Sequence, residues 1–168
     1  MTQFSVRVAQ ITDAGTMAEL FAAVAEERDG IATEPPVDVG ERTARFAGDL
    51  AGSVVAVADI RPTGSLVIGS QVIGMLQVKA SRHGFGEIGM LVDRAWRGRG
   101  VGSALIQAAI SLARDQGLHK LSLEVFAHNA AAVALYRKCG FVEEGRRISQ
   151  YRRASGELWD SIIMGLTL

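Results

Sequence analysis

Residues 96–103 read Trp-Arg-Gly-Arg-Gly-Val-Gly-Ser, with Gly98, Gly100 and Gly102 at every second position ahead of a long apolar run. Glycine weakens a helix start because it gives up the most backbone entropy on ordering. What it offers in return is geometry. The first N–H groups of a helix have no intrahelical partner and point the same way. With the positive end of the helix dipole they form an anion site, for phosphate above all. Glycines let the backbone take up the dihedrals of a nest and let phosphate approach without meeting a Cβ. Arg97 and Arg99 add charge, or one of them faces water. Spacing alone leaves a second reading open, a turn whose glycines serve close helix–strand packing.

Three phosphate motifs compete for this turn. A P-loop requires a lysine after its last glycine, and none is present here. A dinucleotide fingerprint requires a third glycine where the chain has Leu105, although Glu124 lies where that motif puts its ribose acid. The pattern Arg/Gln-x-x-Gly-x-Gly/Ala is matched in full by Arg97, Gly100 and Gly102.

Other residues bear on chemistry. Glu124 sits within Leu-Ser-Leu-Glu-Val-Phe, so its carboxylate is either at an exposed edge or partly desolvated, and desolvation would make it a better proton acceptor. Glu87 lies in the apolar stretch before the glycine turn. Asn129 and Tyr136 are two helical turns apart and share a face with Val133. Asn129 also has the chemistry of an N-cap, and Tyr136 that of a packed helix aromatic. Cys139, ahead of Gly-Phe at the end of an apolar helix, reads as a packing residue rather than a nucleophile. His83, His119 and His128 lack metal-ligand spacing, so no metal site is expected.

The elements that must position these groups follow from periodicity and punctuation. A strand over 4–9 precedes a helix from Thr12 or Asp13 to about Glu27, with Met17, Leu20, Phe21 and Val24 as its stripe. Gly-Ile-Ala-Thr-Glu-Pro-Pro must be a non-helical connection. A helix over 38–47 comes next. Strands over 53–60, 72–80 and 85–92 follow, punctuated by Pro62, Gly64, Gly69 and His83-Gly84, and read as an antiparallel meander. The glycine turn opens a helix over 100–116 with Val101, Leu105, Ala108 and Leu112 on one face. A strand over 120–126, a helix over 129–139 and two strands over 142–151 and 158–166 complete the chain.

The 168 residues fit one domain, 1–168, of ordinary size. Eighteen basic residues balance eighteen acidic ones, which gives no general attraction to nucleic acid or anionic membrane. The cluster Arg146, Arg147, Arg152 and Arg153 reads as a solvated face. The single cysteine rules out an intramolecular disulfide, and Met-Thr-Gln-Phe-Ser-Val-Arg-Val lacks the pattern of a signal peptide, so a cytoplasmic protein is expected.

The stretch from Glu87 to Gly145, with its pre-turn strand, Arg-Gly-Arg-Gly-Val-Gly turn, Leu-Glu-Val strand and Asn-Ala-Ala-Ala-Val-Ala-Leu-Tyr-Arg-Lys-Cys-Gly-Phe helix, resembles the acetyl-CoA core of the GNAT superfamily of N-acetyltransferases. It is similar in particular to ribosomal-protein alanine acetyltransferases and bacterial amino-acid acetyltransferases. The resemblance implies an α/β fold with a mixed, mostly antiparallel sheet of about seven strands and four flanking helices. Acetyl-CoA would be the acyl donor. The backbone at Met90, Leu91 and Val92 would pair with its pantetheine arm as an added strand does. The turn over 98–103, with Arg97, Gly98, Arg99, Gly100, Val101, Gly102 and Ser103, would hold its pyrophosphate. The resemblance also implies that Asn129 contacts the cofactor, that Tyr136 protonates the departing thiolate, and that Glu124 is the base, with Glu87 as its rival.

The acceptor would be a primary amine, either on a small amino-acid-like molecule or at a protein N-terminus. Glu26, Glu27 and Glu34 are candidates to receive a cationic amine, and Arg146, Arg147 and Arg152 a carboxylate. A CoA-binding module without turnover and a dinucleotide oxidoreductase are the readings from other classes. Exposed strand edges would suit a homodimer.

Overall fold

The computed structural model describes residues 4–60 and 69–168. The turn signals at Pro62 and Gly64 lie outside the described residues. The elements run β1 (Phe4–Val8), α1 (Ala14–Glu26), α2 (Val39–Gly48), β2 (Ser53–Ile60), β3 (Gly69–Ala80), β4 (Phe85–Val92), α3 (Val101–Asp115), β5 (Lys120–Phe126), α4 (Ala130–Lys138), β6 (Val142–Arg152) and β7 (Leu158–Thr167). One seven-stranded sheet has the order β1-β2-β3-β4-β5-β7-β6. Every neighbouring pair is antiparallel except β4 and β5. This is the expected mixed sheet with four helices.

Strand alternation sends side chains to opposite faces, and each face carries its own core. On one face Leu76, Val78 and Ile88 meet Leu105, Ile106 and Ala109 of α3. On the other, Val55, Val57, Met75 and Leu91 meet Met17, Leu20 and Val24 of α1 and Phe46 of α2. The buried stripe of α3 is turned slightly from the expected one: Ile106, Ala109 and Ala113 are buried, while Ala108 and Leu112 sit at its margin. Sheet contact on one side of the helix and α4 beside it widen the apolar arc beyond a single line of residues.

Local chemistry sets the helix starts. Asp38 caps α2 by accepting the Glu41 N–H at 2.9 Å. Asp13 does not cap α1 with its side chain. Its carboxylate instead accepts two hydrogen bonds from Arg7, at 2.7 and 2.8 Å, and one from the Gln10 N–H. Arg7 holds that carboxyl below the usual range.

The feature that makes a site is the single parallel pair. β4 and β5 pair only at Phe85–Lys120, Gly86–Leu121 and Glu87–Ser122. Beyond Glu87 the ladder stops while β4 stays paired to β3 and β5 to β7. The sheet therefore opens between its two central strands.

Candidate active site

A cavity of about 980 Å³ occupies this opening and is lined from both faces of the sheet. On the α3/α4 side its wall includes Gly98, Gly100, Gly102, Ser103, Asn129 and Tyr136. On the α1/α2 side it includes Glu27, Asp29, Arg42, Glu87, Glu124 and Tyr151.

The glycine turn has two kinds of glycine. Gly98 and Gly100 have φ of +73° and +86° and face open space, so the left-handed backbone is what requires glycine there. Gly100 is the N-cap of α3, and the first helical bond runs from the Ala104 N–H to its carbonyl. That leaves the N–H groups of Val101, Gly102 and Ser103 without intrahelical partners. Gly102 is of the other kind: a Cβ would stand 2.7 Å from Leu135 Cδ2, so it serves the approach of α4. Conformation thus requires glycine at Gly98 and Gly100, and packing requires it at Gly102. Val101 is buried in the core, and only its backbone can serve an anion.

Both arginines of the turn have partners within the protein. Arg97 donates two hydrogen bonds to Glu27, at 2.7 and 2.9 Å, and a third from Nε to the Val92 carbonyl. It ties the turn to the end of α1, which commits both Arg97 and Glu27, expected as a phosphate and an amine ligand, to each other. Arg99 lies over the Trp96 ring at 5.3 Å and is exposed.

The ladder fixes which backbone groups of β4 face the opening. The Asp93 N–H donates to the Ile73 carbonyl, and hydrogen-bonded pairs alternate along an antiparallel ladder. Leu91 therefore spends its N–H and C=O on β3, while Met90 turns both of its groups and Val92 its N–H to the gap, the Val92 carbonyl accepting from Arg97 Nε. Of the three residues expected to pair with an extended arm, two are available through their backbones. The Leu91 side chain instead lines the acceptor side.

Asn129 caps α4, its Oδ1 accepting the Ala132 N–H at 3.2 Å, and also lines the cavity. Tyr136 is buried against Phe141 and reaches the same cavity. Burial pushes its phenol up to about 12, so it stays protonated through neutral pH. Cys139 is half-buried and its thiol is raised by desolvation, which disfavours the thiolate a nucleophile needs.

Leu123 and Val125 are buried, while Glu124 faces the cavity from the other side of the strand. Its side chain is 27% exposed and accepts from Arg147 at 2.9 Å and from the fully buried Ser161 hydroxyl at 2.5 Å. The reason is β6, whose register shifts between Arg147 and Tyr151 and brings both residues beside Glu124. The Tyr151 phenol is raised by burial and by that carboxylate. Glu87 lines the cavity with no ion pair or side-chain hydrogen bond to the described residues.

The other expected acceptor residues are not gathered here. Glu26 is exposed at the end of α1 and does not line the cavity. Arg146 pairs with Asp160 at 2.7 Å away from the cavity, and Arg152 is exposed. Glu34 accepts the Ala154 N–H at 2.8 Å and pairs with Arg153.

Arg153 overturns the expected solvated face. It is 4% exposed and donates to the carbonyls of Ala32, Ile31 and Arg28. Its guanidinium lies 4.3 Å from the Trp159 ring centroid. It thereby fastens the connection between α1 and α2 to the β6–β7 hairpin, as does a 2.9 Å contact between Asp29 and His128 to the end of β5. Only the neighbouring aromatics at 126, 151 and 159 hint at such a role in the sequence.

A sheet opened between two strands, with unpaired backbone groups along the gap and open N–H groups at a helix start lining the same cavity, is the geometry that would suit a nucleotide-linked acyl carrier. Residues 20–141 match the acetyltransferase (GNAT) family. The chain belongs to that family and is an acetyl-CoA-dependent N-acetyltransferase, which sets aside the dinucleotide reading. Over 165 residues it is 30% identical to an L-methionine sulfoximine/L-methionine sulfone acetyltransferase of Pseudomonas paraeruginosa, covering 98% of this chain and 94% of that protein. Over 77 residues it is 42% identical to the ribosomal protein bS18 alanine N-acetyltransferase of Salmonella typhimurium, covering 46% of this chain and about half, 51%, of that protein. A phosphinothricin acetyltransferase from Sinorhizobium meliloti, solved in complex with AcCoA, shares the fold with a TM-score of 0.81 at 22% identity, covering 100% of this chain and 89% of that one. Among the described residues no helix is long and apolar enough to cross a membrane.

Proposed function

We propose that the chain, as a single domain, moves an acetyl group from acetyl-CoA to the amine of a small amino-acid-like acceptor by direct attack within a ternary complex. The observation that carries this reading is the one cavity lined from both faces of the opened sheet, which lets two substrates meet without a covalent enzyme intermediate. The relative aligned along nearly its whole length acts, by its name, on amino-acid analogues.

In this reading the N–H groups of Val101, Gly102 and Ser103 hold the pyrophosphate, and the backbones of Met90 and Val92 hold the arm. The acceptor amine loses its proton toward Glu124, whose two oxygens are oriented by Arg147 and Ser161. Its nitrogen attacks the thioester carbonyl carbon, and the Val92 N–H, turned to the gap, is the proposed donor to the oxyanion. The C–S bond breaks, and the Tyr136 phenol, kept protonated by burial, supplies the proton that turns the thiolate into free CoA. Glu87 is the second reading for the base, favoured by its freedom from any ion pair.

Residence in the cytoplasm and a homodimer are part of the same proposal. The edge strand β6, with exposed Val142 and Ile148, is the candidate contact, and light scattering tests it. The function itself is tested by thiol release from acetyl-CoA across L-amino acids, simple amines and peptides. Turnover with amino acids is expected; turnover with peptides alone identifies a protein N-terminal acetyltransferase instead.

A further inference from the structure

An amino-acid acceptor brings a carboxylate as well as an amine; of the arginines of the C-terminal hairpin, Arg152 is exposed and does not line the cavity, and the others are engaged. Arg146 is held by Asp160 and Arg147 by Glu124, while Arg153 is spent on backbone carbonyls and Glu34. Of the other cations lining the cavity, Arg97 is held by Glu27, Lys138 belongs to α4 on the donor side, and Lys79 lies 4.0 Å from Asp49 with 68% of its side chain exposed.

Arg42 differs from all of these. It stands in the second turn of α2, half-buried, with its guanidinium 4.0 Å from the Phe21 ring centroid and 5.9 Å from that of Phe46. It lines the cavity on the α1/α2 side. Among the described residues no carboxylate forms an ion pair with it; Asp38 and Glu41 border an adjoining pocket of about 170 Å³, and the Asp38 carboxylate accepts the Glu41 N–H. A guanidinium lying on an aromatic face keeps its in-plane N–H fork free, and that fork matches a carboxylate in two parallel hydrogen bonds.

We propose that Arg42 binds the α-carboxylate of the acceptor, which selects free α-amino acids and their analogues over peptide N-termini. The proposal rests on the amino-acid reading above. A peptide presents an amide where the free amino acid presents a charge, so it would leave this half-buried cation unpaired.

The test compares an accepted L-amino acid with its own α-carboxamide in the wild type, Arg42→Gln and Arg42→Lys. The wild type should favour the free acid. Arg42→Gln should raise KM for the acid at least about tenfold, with kcat changed far less, and leave KM for the carboxamide and for acetyl-CoA within about twofold. Arg42→Lys keeps the charge without the fork and should fall between. An unchanged KM for the acid in Arg42→Gln overturns the role of Arg42 while the amino-acid function stands. Equal losses for acid and carboxamide overturn it too, because they mark a packing role. A wild type that acetylates carboxamides or peptides but no free amino acid overturns both. Acetyl-CoA saturation of each variant, followed by intrinsic fluorescence, reports that the variant is folded.

Discussion

The two ends of the cavity are built from different materials. The α3/α4 end, proposed for the donor, is mostly backbone: left-handed glycines, three open N–H groups and a strand edge exposed where β4 and β5 part. The α1/α2 end is mostly side chains, framed by ties over long stretches of sequence such as Arg97 with Glu27 and, behind the cavity wall, Arg153 with the carbonyls of 28–32. A backbone-built site is fixed by a short local pattern and suits an unvarying ligand. A side-chain-built one can change with each substitution, which suits an acceptor that varies between relatives.

This contrast predicts where substitutions act. Glu124→Gln should cost the most, about 10³-fold in kcat with acetyl-CoA affinity retained, since it removes the proton acceptor; if Glu87→Gln shows that loss instead, the roles of the two carboxylates exchange. Arg153→Met should destabilise by about 3 kcal/mol, because it leaves Glu34 and three carbonyls short of a buried donor. Thermal melting reads that loss, and acceptor KM should rise more than acetyl-CoA KM. Tyr136→Phe should lower kcat by about 10²-fold. With the phenol at about 12, the wild-type rate should show no basic limb from Tyr136 at pH 9, and a limb near pH 9 that vanishes in Tyr136→Phe would contradict the assignment. Gly100→Val should weaken CoA binding about tenfold by straining the φ of +86°, with little change in acceptor KM; calorimetry with CoA measures it.

Asp13→Asn, remote from both ends, should cost about 1–2 kcal/mol at neutral pH and leave kcat alone. The folded-state pKa of Asp13 is lowered, so its stabilisation is full above the unfolded value of 3.8 and is lost as pH falls through the folded one. The melting difference between the variant and the wild type should therefore shrink in acid below that value.

The same contrast explains what the sequence made legible. Element order, strand limits and the glycine turn follow from periodicity and local punctuation, and they stand in the structure nearly as read. The turn's glycines, however, divide between conformation and packing only once α4 is seen beside Gly102. The partners of Arg97, Glu27 and Arg153 are not legible locally because they lie 70 to 125 residues away. Leu123 and Val125 leave the setting of Glu124 open because they point to the opposite face, and its own surroundings come from β6 and β7. Arg42 carries no local signal, since a lone arginine in an exposed-looking helix has none until Phe21 is brought beneath it.

In the proposed reaction donor and acceptor occupy one through-going cavity at the same time. Initial velocities of CoA release, measured while acetyl-CoA and the preferred L-amino acid are varied together, test it most directly. Double-reciprocal plots that intersect are the predicted result. Parallel lines, the mark of a covalent acetyl-enzyme, would contradict it.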